Sequence, residues 1–301
     1  MRVFVLGLLA VCVAAGAVRA ADFGIINPAY TVLTIKPSAT DARITSSDVA
    51  HVVIYDRAAG SGNILLFLTG TGGQPPGPLR FLNAAVAHGY RVISLSYPDR
   101  PAVAQVCMGD ALASDPQCAE RFRERRVYGT GAAAPIDDAP QDAIMNRFVK
   151  LLQYLVTADP KGVWNQYLNG DTAIWSRVAV SGQSQGGGMA EFIAQREVVA
   201  RVVVFSGGWD QSSRGKTAAW YFTKSATPPD RWFATYNVAE PAADALSKTY
   251  AALGIPTAHT FALSLPVRSG KLPHVEGVAN PAYQDIWNEM LGSGTAEMVP
   301  C

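Results

Sequence analysis

The chain has 301 residues, of which 49% are hydrophobic and 16% are charged. This length accommodates one large domain with a sizeable core, and the composition is that of an ordinary globular protein. The formal net charge of +1 excludes the strongly basic surface that binding to nucleic acid or to an anionic membrane requires.

The first twenty residues are typical of an export signal. Arg2 precedes an apolar run over 3–17, and small residues occupy the predicted cleavage positions. The run is too short and too rich in Ala and Gly for a membrane anchor, and Cys12 lies inside it rather than after a lipobox. We expect cleavage after Ala20, which leaves 21–301 as a secreted or periplasmic domain without an integral membrane segment.

The first part of the mature chain predicts alternating strands and helices. Short apolar runs indicate strands at 30–35, 51–55, 63–68 and 91–96, and a helix is predicted over 81–88. The run NILLFL at 63–68 is continuous, as expected of a strand that is buried on both faces of a parallel sheet. Strand, Gly-rich loop, helix and strand together form a βαβ unit.

Residues 99–139 interrupt this alternation and predict an irregular insertion, of the kind that serves as a lid or binding loop. The insertion contains Cys107 and Cys118, which we expect to form a disulfide in an exported protein. Cys301 is then free, or pairs between chains or with one of the other two. The basic run at 121–126 is either an anion-binding cluster or, as we favour, a solvated helix face with i, i+4 ion pairs.

The second half of the chain continues the alternation. An apolar stripe with four-residue spacing predicts a helix that begins at Ile144 and ends before Asp159-Pro160. A polar segment at 211–230 is a second insertion. The remaining predicted elements are strands at 201–206, 231–236 and 258–263 and helices at 244–253 and 283–291.

The most specific motif lies within 177–195. A short apolar strand enters the sequence GQSQG at 182–186, and a helical pattern follows at once. Ser184 would stand on a sharp turn that lifts its hydroxyl clear of the sheet, where side chains at Gly182 and Gly186 would collide. The N–H groups at the start of the helix favour negative charge there. The motif predicts Ser184 as a nucleophile, with a Gly-rich connection without chemistry as the alternative.

With two further motifs, the chain resembles the α/β-hydrolases over most of its mature length. It looks closest to a poorly characterised group of secreted bacterial members with a GTGG loop, an LSYP strand end and a GxSQGGG elbow, here at 70–73, 95–98 and 182–188. The resemblance implies a mostly parallel sheet with helices on both faces, in one domain with loop insertions. It also implies a nucleophile, an acid and a histidine in that chain order, with no cofactor and no metal.

Four histidines compete for the role of the general base. His51 starts a strand far before the nucleophile, His88 ends a helix, and His259 lies within the last strand pattern. His274 follows that strand in a loop before the final helix, which is where the family places its histidine. We therefore predict His274 as the base, with a surface histidine as the alternative.

Three carboxylates compete for the acid that orients His274. Glu240 precedes Pro241 and matches the family's usual Asp-Pro position, with Glu in place of Asp. Asp210, at the end of the strand after the elbow helix, is the alternative used by some members. Asp244 is a third option that is more plausible as a helix cap. We favour Glu240.

Two backbone N–H groups are expected to bind the oxyanion, one from Gln185 and one from Thr71. Esterases of the family usually have His-Gly before the second donor, whereas this chain has Thr69-Gly70. Because the donor belongs to the backbone, the difference need not remove it. Four aromatic residues are candidates either for an acyl pocket or for the core: Trp209, Trp220, Tyr221 and Trp232.

The sequence thus predicts an exported, monomeric serine hydrolase that cleaves a small or lipid-like carboxylic ester through an acyl-enzyme. A peptidase, thioesterase or acyltransferase would use the same triad, and the fold does not choose among them. The substitution of Glu for Asp and the missing His-Gly keep open a second class, a hydrolase fold that binds without turnover. A metal-dependent hydrolase is disfavoured, because the sequence contains no paired-His or Asp/His cluster.

Overall fold

The structure is a computed structural model that describes residues 25–60, 62–131 and 133–294. The predicted export signal and Cys301 lie outside the described residues. Within these ranges no helix is both long and apolar enough to cross a membrane. The same ranges contain no group of three His, Cys, Asp or Glu side chains that could hold a metal ion.

The strands of the described chain fall into one large sheet and two small ribbons. In chain order they are β1 (Thr31–Ile35), β2 (His51–Tyr55), β3 (Ile64–Leu68), β4 (Arg91–Leu95), β5 (Leu168–Asn169), β6 (Thr172–Ala173), β7 (Val178–Gln183), β8 (Arg201–Phe205), β9 (Gln211–Ser213), β10 (Lys216–Thr217), β11 (Trp232–Asn237) and β12 (Thr260–Leu263).

The large sheet has eight strands in the order β1-β2-β4-β3-β7-β8-β11-β12. β2 is antiparallel to both of its neighbours, and the other five pairs are parallel. Every strand predicted from the sequence is present, with ends that differ by at most two residues. Continuous apolar runs predict strand positions well here, because parallel strands are buried on both faces and carry apolar residues throughout.

Helices cover both faces of the sheet. In chain order they are α1 (Pro37–Thr40), α2 (Leu79–Ala87), α3 (Val103–Val106), α4 (Gly109–Ser114), α5 (Cys118–Tyr128), α6 (Ile144–Ala158), α7 (Gln185–Arg196), α8 (Ala243–Ala252), α9 (Pro273–Ala279) and α10 (Gln284–Leu291).

Two hydrophobic cores, one on each face of the sheet, show how these helices are divided. Residues of α5, α6, α7 and α8 contribute to one core, and residues of α2, α9 and α10 contribute to the other. Alternate residues of β3 follow the same division, since Leu66 lies in the first core and Phe67 in the second. The predicted α/β-hydrolase architecture, a mostly parallel sheet between two helical layers, is confirmed.

The insertion at 99–139 is helical rather than irregular, because it contains α3, α4 and α5. The interpretation of its basic run as a solvated helix face is also wrong. Arg123 and Arg126 are buried, and they form ion pairs with Asp210 and Asp138 respectively. These partners lie outside the basic run, so the i, i+4 pattern did not reveal them.

The order of the strands decides where a site can form. β3, β7, β8 and β11 are parallel neighbours, so their carboxyl ends meet at one edge of the sheet. The Gly-rich loop, the serine turn and the segment that contains Glu240 all follow these ends. Crevices at this edge are the usual binding position in open α/β sheets.

Candidate active site

Ser184 occupies the turn between β7 and α7, with φ 57° and ψ −125°. A positive φ at a residue with a side chain costs about 1–3 kcal/mol and is found where function requires it. A Cβ on Gly182 would lie 2.4 Å from the carbonyl carbon of Gly186, and a Cβ on Gly186 would lie 2.1 Å from the Leu68 carbonyl oxygen. Both glycines are therefore required by the close approach of the backbone, as the sequence predicts.

The two predicted oxyanion donors lie on either side of this turn. Gln185 is the first residue of α7, so its N–H has no acceptor within the helix. Thr71 follows Gly70, where a Cβ would lie 3.0 Å from the Ser184 Cβ. In the described part of the chain the Thr71 N–H donates no hydrogen bond. Thr71, Ser184 and Gln185 all line one cavity.

His274 and Glu240 form a close pair, with 2.6 Å between His274 Nδ1 and Glu240 Oε2. The other carboxylate oxygen of Glu240 accepts hydrogen bonds from the Ser206 hydroxyl at 2.6 Å and from the Asn237 N–H at 2.8 Å. Burial raises the pKa of Glu240, but these hydrogen bonds outweigh burial and hold the pKa below its ordinary value. Glu240 is thus held as a carboxylate whose position is set by three donors.

The position of His274 differs in one respect from the prediction. It lies in the first turn of α9 rather than in a loop, because Pro273 supplies the fixed φ that favours a helix start. Its ring packs edge-on against Trp209, with 5.5 Å between the ring centroids. Among the described residues no hydrogen bond joins Ser184 Oγ to this imidazole. Catalytic hydrogen bonds are often long before substrate binds, so this leaves His274 a candidate.

Neither alternative acid forms a hydrogen bond with His274 in the described part of the chain. Both carboxylate oxygens of Asp210 accept hydrogen bonds from Arg123, at 2.6 and 2.7 Å. Asp244 is exposed and pairs with Lys248 four residues later, so the suggestion that it caps its helix is wrong as well. Of the three predicted carboxylates, the structure brings only Glu240 to the imidazole.

The other three histidines have structural contacts away from Ser184. His51 is fully buried and accepts a hydrogen bond from the Ser96 N–H at 2.9 Å. His88 lies 2.6 Å from the Gly292 carbonyl oxygen. His259 stacks on Phe233 with 4.1 Å between ring centroids.

The cavity beside Ser184 has a volume of about 480 Å³. Residues 102–119, which we call the roof, cover it with mainly apolar groups that include Val103, Met108 and Leu112. Cys107 and Cys118 form a disulfide across the roof. Volume and lining are typical of a small-molecule site.

The four aromatic residues proposed for a pocket divide between two roles. Trp209 lines the cavity. Trp220, Tyr221 and Trp232 do not line it and are buried in the core instead.

Sequence reasoning missed the groups that hold the site in place. The side chain of Gln183 donates to the His274 carbonyl oxygen at 3.1 Å. The side chain of Gln185 accepts from the Val103 N–H at 3.1 Å and donates to the Asp99 carbonyl oxygen at 2.5 Å. Ser206, at φ 44°, donates to Glu240. The two glutamines beside Ser184 were the available signal, but glutamine has no specific catalytic pattern.

No protein-family model and no curated protein matches the chain. It is similar in structure to an esterase of the bacterial hormone-sensitive lipase family, with 15% identity, a TM-score of 0.48 and coverage of 91% of this chain and 90% of that one. Esterase B from Lactobacillus rhamnosis has 14% identity, a TM-score of 0.49 and coverage of 91% and 88%. A hormone-sensitive lipase from a metagenome library has 13% identity and a TM-score of 0.48, and the match covers 91% of this chain and 89% of that one. Since the TM-scores are below 0.5, function has to be argued from the site itself.

Proposed function

We propose that this chain is an exported serine hydrolase that cleaves carboxylic esters through an acyl-enzyme. The observation that carries the proposal is the strained Ser184 turn, which lines a covered cavity together with the two candidate oxyanion donors. Residues held at positive φ cost free energy, and they cluster at functional sites. The Glu240–His274 pair supports a base at the same edge of the sheet.

In this mechanism Ser184 Oγ attacks the carbonyl carbon of the ester, and His274 Nε2 takes the hydroxyl proton. Glu240 orients the ring through Nδ1 and stabilises the imidazolium that forms. The N–H groups of Thr71 and Gln185 bind the oxyanion of the tetrahedral intermediate, each contributing about 10²–10³ in rate. The protonated His274 then gives its proton to the leaving alcohol, and a water activated by the same base releases the acid.

The proposed location rests on separate observations. The disulfide between Cys107 and Cys118 is of a kind that persists in oxidising compartments. The apolar run after Arg2 fits an export signal. The substrate is proposed as a small or lipid-like ester, because the roof of the cavity is mainly apolar.

One observation favours a second candidate, a hydrolase fold that binds a ligand without turnover. In the described chain the Ser184 hydroxyl and the His274 ring are not joined by a hydrogen bond. If this hydrogen bond also fails to form when a ligand is bound, Ser184 lacks a base and the cavity acts only as a binding site.

Hydrolysis of p-nitrophenyl esters from acetate to palmitate separates the two candidates. We expect the protein to release p-nitrophenol, and we expect Ser184→Ala to abolish release at every chain length. Ser247→Ala is the control, because Ser247 is exposed on α8 and does not line the cavity. A fluorophosphonate should label the protein but not Ser184→Ala. Absence of both release and labelling in the unmodified protein would leave the binding module as the better account.

A further inference from the structure

The two glutamines beside Ser184 hold different parts of the structure. Gln185 bonds to the start of the insertion, through the Asp99 carbonyl and the Val103 N–H. Gln183 reaches the opposite side and donates from Nε2 to the His274 carbonyl oxygen at 3.1 Å. The serine turn is therefore connected through one side chain to the roof and through the other to the helix that contains the candidate base.

The contact with His274 is a direct link between this helix and the turn, whereas the later residues of α9 are held elsewhere. Glu276 pairs with Arg268, and the Gly277 carbonyl oxygen accepts a hydrogen bond from the Trp287 indole at 2.6 Å. Glu240 fixes the imidazole at Nδ1 but belongs to the segment after β11. In the part of the chain that the structure describes, the bond from Gln183 is the one hydrogen bond between the serine turn and the segment 264–274. Lys271 and Leu272, which lead into α9, are exposed, so packing around them contributes little restraint.

The side chain of Gln183 also lies against the Gly-rich loop. A Cβ on Gly70 would lie 2.4 Å from Gln183 Oε1. The amide thus occupies the space between the loop that provides the Thr71 N–H and the first turn of α9. Its conformation is restricted by this packing, so the direction of its N–H donor is set before a ligand binds.

We propose that Gln183 is a positioning residue that sets the distance between His274 Nε2 and the Ser184 hydroxyl. The inference rests on the proposed function. Two contacts at His274 itself then place the base: Glu240 sets the rotation of the ring, and Gln183 holds the backbone of the first turn of α9, from which the ring projects. A misplacement of about 1 Å in such a group can lower the rate about 10²-fold.

The test uses Gln183→Met, which keeps the length of the side chain but removes the donor, and Gln183→Glu, which places a carboxylate against the His274 carbonyl. We expect kcat to fall about 10- to 100-fold in both variants, with KM within about twofold. In Gln183→Met the pH at which kcat rises should not move, because neither glutamine nor methionine ionises. Gln153→Met is the matched control. Gln153 is also half-buried, and its side chain donates one hydrogen bond, to Asp171, which is not part of the candidate site.

A double-mutant cycle separates positioning from a general loss of structure. In a His274→Ala background, Gln183→Met should have no further effect on the residual rate, because the group that it positions is absent. An equal fold-loss in both backgrounds would overturn the inference. So would a Gln183→Met enzyme with kcat within about twofold of the unmodified protein.

Labelling of Ser184 by a fluorophosphonate distinguishes failure of this inference from failure of the proposed function. If the unmodified protein and Gln183→Met are labelled at the same rate, the positioning role is wrong while the nucleophile stands. If the unmodified protein shows neither labelling nor turnover, the proposed function is wrong, and the role of Gln183 fails with it.

Discussion

Arg123 and Asp210 form a buried ion pair joined by two hydrogen bonds, of 2.6 and 2.7 Å. The same Asp210 carboxylate accepts a third hydrogen bond from the indole of Trp220 at 3.1 Å. These contacts join the insertion to the segment after β8 and leave Asp210 no role at His274. The pair is bidentate and nearly fully buried, so removal of one partner leaves an uncompensated charge.

The effects of Glu240→Gln and Asp210→Asn should therefore differ. We expect Glu240→Gln to lower kcat about 10³- to 10⁴-fold with little loss of stability, because it removes the charge that stabilises the imidazolium. Asp210→Asn should instead lower the free energy of unfolding by about 3 kcal/mol, since Arg123 loses its counterion. Steady-state kinetics and urea denaturation measure the two effects. An Asp210→Asn enzyme of unchanged stability but equally low kcat would contradict this assignment of the acid.

Gly70→Ala should impair turnover more than folding. The new Cβ would lie 2.4 Å from Gln183 Oε1 and 3.0 Å from the Ser184 Cβ. The Gln183 amide must therefore swing aside, and the Gly-rich loop must shift away from the nucleophile. We expect kcat to fall at least tenfold, because the Thr71 N–H moves with the loop. Gly60→Ala is the control, as no atom lies within 4 Å of its added Cβ. Equal kinetics for the two variants would place the second oxyanion donor elsewhere.

The strands and the serine turn were predictable because their signals are local. Ile64–Leu68 is apolar throughout and is buried on both faces. Gly182 and Gly186 are required because an added Cβ at either position would lie less than 2.5 Å from backbone atoms of the turn or the adjoining strand end. The disulfide was predictable from two cysteines only 11 residues apart in one segment.

The insertion and the supporting groups were not predictable, because they depend on contacts between distant parts of the chain. Arg123 is buried only because Asp210, 87 residues later, lies beside it. Ser206 reaches Glu240 across 34 residues, and Gln183 reaches His274 across 91. No periodicity or spacing in the sequence indicates which distant residues pair. The sequence therefore predicts Arg123 as part of a solvated helix face, although it is buried.

Acidification should destabilise the protein through His51. Burial, followed by the nearby charge of Arg147, lowers the pKa of His51 to about 3, against an opposing effect of Asp48. Between that value and the ordinary 6.5, the unfolded chain binds a proton that the folded chain does not. The free energy of unfolding should therefore fall as the pH decreases through this window, by up to about 1.4 kcal/mol per pH unit.

His51→Asn tests this dependence, because its side-chain oxygen can still accept from the Ser96 N–H but does not titrate. We expect the variant to be less stable at pH 7.5 and to lose less stability than the unmodified protein between pH 6.5 and 4. Urea denaturation at half-unit pH steps gives both slopes. Parallel slopes would show that other groups cause the acid sensitivity.

Loss of the disulfide should affect both stability and substrate binding. Cys107 directly follows α3 and lines the cavity, and Cys118 begins α5, so the bond closes a loop that contains the whole of α4. Closure of a loop of this length contributes about 3 kcal/mol in the chain-entropy account. We expect Cys107→Ser/Cys118→Ser to lose about that amount, measured by urea denaturation. A reductant should destabilise the unmodified protein equally and leave the double variant unchanged.

The same variant shows whether the roof is needed to bind substrate. Without the disulfide, the start of the roof is still held by the bond between Gln185 and the Val103 N–H, while α4 is free to move away from the cavity. We expect KM for p-nitrophenyl esters to rise several-fold and kcat to change by less than about twofold, because Ser184, His274 and Glu240 lie outside the roof. A proportional loss of kcat would instead mean that the roof also holds the oxyanion donors, through Gln185.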